Sequence, residues 1–394
     1  MERLVLLAAG EQQLRIDKTR AAMALRGIDS AIITSNANIY YLTGRVFSGY
    51  VYLPADGSEP IYFVRRPVHL LDERAISVRK PESILSELKV RGLPLPERLG
   101  LELGRMTYTM AQRMMAALGV DHAEDVAPSL SMARAVKTPH EIRLLTVSGV
   151  KHERVYRKIA KAYRPGMTDL ELQVEVERLL RLDGCLGQFR CAGDEMEIFM
   201  GNVIAGDNAD NPSPYDFAMG GAGLSPSLPL GANGTVLRPG MTVMVDMNGN
   251  FTGYMTDMTR TYAIGQVDEL ARMAHQTSID ICRECAKAGR PGAEAKALYE
   301  LGMDIAKAAG LEDYFMGHRQ HASFIGHGVG IEINEWPVIA PRSKDILAEG
   351  NAIALEPKFV IPGVGAVGVE NTYIVGAESM NSITRAPQEL ITLA

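Results

Sequence analysis

An internal repeat in the C-terminal two-thirds of the chain is the feature that most restricts its fold. Residues 237–246 (LRPGMTVMVD) resemble residues 347–356 (LAEGNAIALE): each segment passes through a turn ending in Gly into an apolar strand that ends on a carboxylate. The upstream segments 164–166 and 290–292 are both Arg-Pro-Gly. Self-similarity of this kind predicts a duplicated structural unit, here a helix followed by a hairpin.

Each copy of the repeat carries two acids, Asp246 and Asp257 in the first and Glu356 and Glu370 in the second. We expect a short hairpin to place Asp257 opposite Asp246. An unpaired carboxylate in a buried strand is costly, and four acids in one core would repel one another. Bound divalent cations would keep them ionised, and four carboxylates can hold two ions about 3.5–4 Å apart. The alternative to a metal site is that these are separate surface acids or acids paired with arginine. That alternative is weak for four acids in matching positions.

His327 is a fifth candidate ligand. It lies in the segment 324–330 (FIGHGVG), where glycines on both sides let the backbone pack closely and aim the imidazole. A lone histidine is more often a core or surface residue, but the glycines around this one favour a ligand.

The five candidates resemble, in order and spacing, the Asp-Asp-His-Glu-Glu ligand set of the pita-bread metallopeptidases. That family includes Xaa-Pro dipeptidase, Xaa-Pro aminopeptidase, methionine aminopeptidase and creatinase. The block 254–260 (YMTDMTR) and the Gly-His-Gly-x-Gly block 326–330 also match, as does the pattern formed by Arg134, Lys137 and Glu141. The resemblance covers nearly the whole chain.

The resemblance implies an α+β protein. A creatinase-like N-terminal α/β domain, acting as a scaffold or dimerisation domain, would span residues 1–130. A C-terminal pita-bread catalytic domain with an internal pseudo-twofold duplication would span residues 131–394. The local pattern agrees, because Thr138–Glu141 and Thr168–Glu171 are both capping boxes that open amphipathic helices.

The resemblance also implies roles for the site residues. Asp246 would bind one metal ion, Asp257 and Glu370 would bridge both, and His327 and Glu356 would complete the second. A water bridging two dications becomes a nucleophile near neutral pH, and Glu356 could take up and deliver its proton. Mn, Co, Zn and Fe all suit mixed carboxylate and imidazole ligands. The implied activity is a dinuclear hydrolase that cleaves Xaa-Pro dipeptides or the N-terminal residue before proline.

Three departures from the family concern substrate recognition. Asn334 replaces a second histidine, residues 225–229 contain no histidine, and Gly368 stands where Xaa-Pro enzymes carry an arginine. We expect Asn334 and His321 to take part in catalysis, and a return to histidine at position 334 to raise Xaa-Pro cleavage. These three departures favour an alternative function. The chain would then be a family enzyme that acts on a non-peptide small amide or amidine, or that acts as a lyase. A non-enzymatic binding module is a weaker alternative, because all five ligands are present.

Composition excludes several classes. The chain has 41 Lys and Arg against 47 Asp and Glu, a net charge of −6, which leaves no basic footprint for nucleic acid. No apolar run approaches the ~18–20 residues of a membrane span. Four cysteines in 394 residues make no disulfide scaffold, and we interpret the Cys-x-x-Cys spacing at 282–285 as two ordinary thiols. We therefore expect a cytoplasmic protein that binds neither nucleic acid nor membranes. The family resemblance and the separate N-terminal domain imply a homodimer, and the resemblance implies a small peptide or small amide as substrate.

Overall fold

The computed structural model describes residues 7–68, 70, 72–193, 200–215, 217 and 219–393. Contacts within the chain divide it into two units, Met1–Arg134 and Ala135–Ala394.

The N-terminal unit is an α/β structure built on one mixed sheet. Its strands are β1 (Ser30–Ile33), β2 (Ser48–Pro54), β3 (Ile61–Arg66), β4 (Ala75–Ser77), β5 (Leu99–Leu101) and β6 (Ala123–Asp125). They lie in the order β4-β3-β2-β1-β5-β6, with β1 antiparallel to β2 and parallel to β5. The helices are α1 (Ala9–Ala24), α2 (Asn36–Thr43), α3 (Ile84–Val90), α4 (Tyr108–Leu118) and α5 (Ala127–Ala135), with 3₁₀ turns at Pro81–Ser83 and Leu103–Arg105. Ile32, Tyr52 and Phe63 from the sheet pack with Met114 of α4 in its core.

The C-terminal unit contains the two copies of the repeat. Its helices are α6 (Pro139–Ile159), α7 (Asp169–Leu182), α8 (Glu269–Ala288) and α9 (Ala295–Ala308). Its strands are β7 (Gly201–Ala205), β8 (Thr242–Asn248), β9 (Asp257–Ile264), β10 (Gly326–Gly328), β11 (Glu335–Ile339), β12 (Ala352–Leu355), β13 (Lys358–Ile361), β14 (Gly365–Gly368), β15 (Asn371–Val375), β16 (Met380–Ser382) and β17 (Ile391–Leu393). Short 3₁₀ turns occupy Gly206–Asp210 and Glu312–Tyr314.

Each copy of the repeat contributes its hairpin to a different sheet. The first sheet has the order β17-β9-β8-β7, and the second has the order β11-β10-β12-β15-β16. Beyond Leu355 and Asn371, the second hairpin continues as β13 paired with β14, in the same register as β12 with β15. The α+β class and the duplicated unit are as predicted, and the second copy has the longer paired hairpin.

The predicted capping boxes are both formed. The Thr138 side chain accepts a hydrogen bond from the backbone of Glu141, whose carboxylate accepts one from the Thr138 backbone; Thr168 and Glu171 repeat the arrangement. Because each box satisfies amides that the first helical turn leaves unpaired, α6 and α7 begin where the sequence predicts.

The strand register corrects one expectation about the first hairpin. Asp246 lies opposite Thr259, and Asp257 lies opposite Asn248. The predicted direct pairing of the two aspartates is therefore wrong, because the loop 249–256 closes on Asn248 and Asp257. Side chains alternate along a strand, so Asp246 and Asp257 are diagonal neighbours on one face.

The two thiols of the Cys-x-x-Cys segment belong to the core of the C-terminal unit. Cys282 and Cys285 are free and buried in α8, and burial raises the pKa of Cys285 to about 12. Protonated thiols of this kind are poor nucleophiles and poor metal ligands. No helix in the described part of the chain is long and apolar enough to cross a lipid bilayer.

Candidate metal centre

The strands of the two sheets, and the residues directly beside them, position the five predicted ligands. Asp246 lies within β8 and Asp257 begins β9, while Glu356 directly follows β12 and Glu370 directly precedes β15. His327 is the middle residue of β10, which pairs with both β11 and β12.

The structure brings these five side chains together. Ligand atoms of Asp257, His327 and Glu370 lie within 4.8 Å of one another, and so do those of Asp246, Glu356 and Glu370. Glu370 belongs to both groups. In addition, Nε2 of His327 lies 3.2 Å from Oε1 of Glu356. Carboxylates with one imidazole form a donor set that suits a divalent metal ion.

Hydrogen bonds orient the ligands. The Thr259 hydroxyl donates to Oε2 of Glu370 at 2.7 Å. The ring of His327 places Nδ1 3.1 Å from the Gly328 carbonyl, which directs Nε2 toward the acids. Oε1 of Glu370 is buried and has no hydrogen-bond partner among the described residues. A buried oxygen without a partner calls for an explanation, and a bound cation would provide one.

A lysine that the sequence analysis did not consider lies inside this centre. Nζ of Lys358 is 2.8 Å from Oδ2 of Asp246 and 2.7 Å from Oε2 of Glu356. It is also 3.5 Å from Oε2 of Glu370. The Lys358 side chain is 0% exposed, so these carboxylates are its surroundings in place of water.

The ammonium group and the acids set one another's proton affinity. Burial alone would lower the pKa of Lys358, but the charges of Asp246, Glu356 and Glu370 raise it well above its ordinary value. Burial would raise the pKa of Glu356, but Lys358 and His327 lower it to about 2. These two groups therefore form an ionised buried pair.

The pKa values of three other predicted ligands, Asp257, Glu370 and His327, are raised. Burial, together with the charge of Glu370, raises the pKa of Asp257 well above its ordinary value. Burial and the charge of Glu356 raise the pKa of Glu370 to about 8. Burial would lower the pKa of His327, but its hydrogen bond with Glu356 raises it to about 9. Burial and the neighbouring negative charges thus favour the protonated forms of Asp257 and Glu370, and a bound cation would displace those protons.

Arg260 connects the two copies of the repeat at this centre. Its Nη1 donates to the carbonyls of Thr259 in β9 and of Glu370, at 2.7 and 2.8 Å. Its Nη2 donates to Oδ1 of Asn371 at 2.8 Å and to the carbonyl of Ala386 at 2.7 Å. The buried guanidinium therefore fixes the two ligand-bearing strands relative to each other.

A cavity of about 370 Å³ opens onto the centre. Four of the predicted ligands line it, namely Asp246, Asp257, His327 and Glu356. Much of the remaining wall is apolar and consists of Phe189, Phe217, Met219, Phe324, Ile333 and Val338. None of the described residues that line it is Lys or Arg.

Asn334 lines the same cavity, but both ends of its amide are engaged. Oδ1 accepts from the Ala192 backbone amide at 2.6 Å, and Nδ2 donates to the Ala192 carbonyl at 2.7 Å. This pair of hydrogen bonds holds the segment around Ala192 against the wall of the cavity. The amide of Asn334 therefore has little left to offer a substrate.

The structure does not bring His321 to this cavity. Its Nδ1 lies 2.8 Å from the Phe315 carbonyl, and its side chain lines a separate cavity together with His318. His318 in turn contacts Asp210 at 2.9 Å.

Gly368 has a structural reason to lack the arginine found in Xaa-Pro enzymes. Its φ is +142°, and a Cβ there would lie 2.7 Å from the Pro357 carbonyl and 3.0 Å from Cα of Lys358. Pairing of β13 with β14 places Gly368 opposite Lys358. The expected cation is therefore missing from β14, and the facing residue of β13 supplies one.

Comparisons with known families identify the class of protein. The Creatinase/Prolidase N-terminal domain model matches residues 15–136. The model of metallopeptidase family M24 matches residues 143–377. The chain therefore belongs to metallopeptidase family M24, as its resemblance predicted, and it is a metal-dependent hydrolytic peptidase with the pita-bread fold.

Individual relatives match along nearly the full length. The chain is 26% identical over 385 residues to a Xaa-Pro dipeptidase of Pyrococcus furiosus, covering 96% of this chain and 99% of the relative. It is 28% identical over 391 residues to the uncharacterized peptidase YqhT of Bacillus subtilis, covering 96% and 100%. The solved structure of a Xaa-Pro dipeptidase from Bacillus anthracis superposes with a TM-score of 0.81 at 23% identity, covering 97% and 100%.

The sequence did contain a signal for Lys358. The residue precedes the apolar run Phe-Val-Ile and follows the predicted ligand Glu356 by two positions. A lysine in an otherwise apolar strand is rarely buried without a charged partner. Glu356, two residues earlier, was the nearest candidate for that partner.

Proposed function

We propose that the chain hydrolyses the peptide bond between an N-terminal residue and proline, in Xaa-Pro dipeptides or at the start of longer peptides. The observation that carries this proposal is the convergence of the five candidate metal-ligand side chains on one centre, four of which line a single cavity. The Xaa-Pro dipeptidase named among the relatives supports the substrate class.

The donor set fits a divalent ion held by Asp257, His327 and Glu370, or by Asp246, Glu356 and Glu370. When bound, such an ion supplies a Lewis acid that activates water and polarises the scissile carbonyl. Mn, Co, Zn and Fe all suit these ligands. The family resemblance implies two such ions, and the position of Lys358 bears on their number.

Glu356 is the residue we assign to proton transfer. It lines the cavity, and Lys358 and His327 keep it ionised at neutral pH. An ionised carboxylate in contact with the reacting water can accept its proton and pass it to the leaving nitrogen. The neighbouring ammonium lowers the basicity of Glu356, so the water must itself be acidified for this transfer.

The cavity indicates which end of the substrate it holds. Its acids attract the α-ammonium of a peptide, and its apolar wall suits a proline ring. Because none of the described lining residues is Lys or Arg, and His327 would be a neutral ligand once a metal ion is bound, the free carboxylate of a dipeptide would find no opposite side-chain charge there. We therefore expect a capped or longer Xaa-Pro peptide to be cleaved faster than the free dipeptide, by about tenfold.

A second candidate function is the hydrolysis of a small amide or amidine, or a lyase reaction on a small substrate. Two observations favour it: the amide of Asn334 is engaged with Ala192, and Gly368 leaves no room for the usual arginine. Both changes weaken the recognition of a prolyl peptide and leave the metal ligands intact.

We further propose that the protein is a cytoplasmic homodimer. The support is its free cysteines, which suit a reducing compartment, and the N-terminal domain that it shares with its family. Size-exclusion chromatography with light scattering tests the dimer, and a monomer would contradict it.

Substrate screening of metal-stripped and reloaded protein tests the function. We expect no activity after chelation, and hydrolysis of Xaa-Pro peptides, but not of matched Xaa-Ala peptides, after Mn or Co is added. Glu356→Gln should lower kcat by about 100-fold or more, whereas the exposed control Glu378→Gln should leave it unchanged. Inactivity on every Xaa-Pro peptide would contradict the proposal, and turnover of a small amide in the same screen would establish the second candidate.

A further inference from the structure

Lys358 lies where the acids of the metal centre meet. We propose that its ammonium group takes the place of one of the two metal ions expected in this centre, so that each chain binds a single divalent ion. The inference rests on the proposed metal-dependent function and specifies the composition of its active site.

The first argument is geometric. Three carboxylates form one of the two candidate ligand groups, and Nζ of Lys358 lies 2.7–3.5 Å from an oxygen of each. A metal ion bound to those oxygens would lie about 2.0–2.2 Å from them. An ion using Asp246 and Glu356 in this way would therefore fall in the space that Nζ fills.

The second argument is that the ammonium has nowhere else to go. Lys358 is fully buried, and its backbone is fixed on both sides. Its carbonyl accepts from the Met316 amide at 2.8 Å, and it pairs across the hairpin with Gly368. Turning the side chain away would leave a buried charge without a partner, which costs several kcal/mol.

The third argument is that the other ligand group is complete without Lys358. Asp257, His327 and Glu370 offer three ligand atoms within 4.8 Å of one another. Oε1 of Glu370 has no hydrogen-bond partner among the described residues, and Asp257 and His327 reach the cavity. A single ion held here would face the substrate on one side and the carboxylates that contact Lys358 on the other.

Counting metal ions tests the inference. The purified chain is stripped with a chelator, reloaded with excess Mn²⁺, desalted and analysed for metal per chain. Electron paramagnetic resonance of the same sample reports whether Mn²⁺ ions are isolated or coupled to a neighbour. We expect one ion per chain and the signal of an isolated ion. Two coupled ions would overturn the inference and leave the proposed function standing, whereas no bound ion would overturn both.

Two variants sharpen the test. Lys358→Met removes the charge and keeps the length of the side chain, and we expect it to bind two ions. Asp246→Asn provides a second measurement if that variant does not fold. Asp246 contacts the ammonium rather than the single ion in our proposal, so this variant should still bind one ion. If wild type binds two ions and Asp246→Asn one, Asp246 is a metal ligand and the inference is wrong.

Discussion

The two copies of the repeated unit use one strand pattern for different tasks. In the first copy, β8 and β9 present Asp246 and Asp257 to the cavity, and the Asp246 side chain is 23% exposed. In the second copy, the side chains of Glu356 and Glu370 are only 5% and 1% exposed. Beyond these acids the second hairpin continues as β13-β14, and Lys358 of β13 contacts both of them. Each copy carries two acids, and Lys358 gives those of the second copy different electrostatic surroundings.

The largest effect should come from Asp257, the residue of the first copy that belongs to the ligand group without Lys358. Asp257→Asn is expected to abolish metal binding and to lower kcat/KM by about 10³-fold, since a loss of several kcal/mol corresponds to that factor. Elemental analysis and steady-state kinetics measure both quantities. Asp246→Asn is the matched control in the same copy and should retain its ion. If both variants lost their metal equally, Asp246 would be a metal ligand like Asp257, and the proposed difference between the two residues would be wrong.

Lys358 of the second copy should matter most for stability in the absence of metal. Lys358→Met leaves the buried carboxylates of Glu356 and Glu370 and the partly buried Asp246 without their cation, and we expect the free energy of unfolding to fall by about 3–5 kcal/mol. Urea denaturation in the presence of a chelator measures the loss, and added Mn²⁺ should reverse much of it. The exposed control Lys344→Met should unfold like wild type. A Lys358→Met protein as stable as wild type without metal would show that the acids do not need the ammonium.

Buried histidines in the helices of the two copies predict an unequal response to acid. Burial, with a smaller effect of Arg260, lowers the pKa of His152 in α6 to about 3. Burial also lowers the pKa of His275 in α8, but its contact with the Gln388 carbonyl opposes that shift. Because the folded pKa lies below the unfolded value, the unfolded chain takes up the proton first. The contribution of His152 is therefore complete above about pH 6.5 and is lost as the pH falls toward 3, at about 1.4 kcal/mol per pH unit.

Urea denaturation between about pH 7 and pH 4 tests this sign. Wild type should lose stability with acid more steeply than His152→Phe, which keeps a ring beside Tyr156 and cannot titrate. Parallel slopes for the two proteins would mean that His152 is not buried as a neutral group.

The smallest effect should come from Asn334. Asn334→His breaks both hydrogen bonds to Ala192, and we expect a loss of about 1–2 kcal/mol in the free energy of unfolding together with slower Xaa-Pro cleavage. The sequence alone predicts the opposite change in activity. Thermal unfolding and kcat/KM of the variant measure the two outcomes, and faster cleavage would support the recognition role that the sequence suggests.

Local and repeated features were predictable from the sequence. Capping boxes act within four residues, so the starts of α6 and α7 follow directly from Thr138 and Thr168. The five candidate ligands are recognisable because each lies at a fixed place in a repeated or glycine-framed segment. The pairing of Asp257 with Asn248 was not predictable, since it depends on how the loop 249–256 closes.

Contacts between distant segments could not be predicted from the sequence either, because they also depend on how the folded chain brings those segments together. The amide of Asn334 is bonded to Ala192, 142 residues earlier, and nothing near either residue indicates that bond. Lys358 contacts Asp246 across 112 residues. Only its short separation from Glu356 gave a local hint that this lysine neutralises the centre.

The ammonium of Lys358 has a consequence for how the protein matures. Acids crowded in a core ordinarily make folding wait for the metal that neutralises them. Here the neutralising cation is the side chain of Lys358, which is part of the chain from its synthesis. Arg260 also holds both strands that carry the candidate ligands in place. We therefore expect the chain to fold without a transition metal and to take up its ion afterwards.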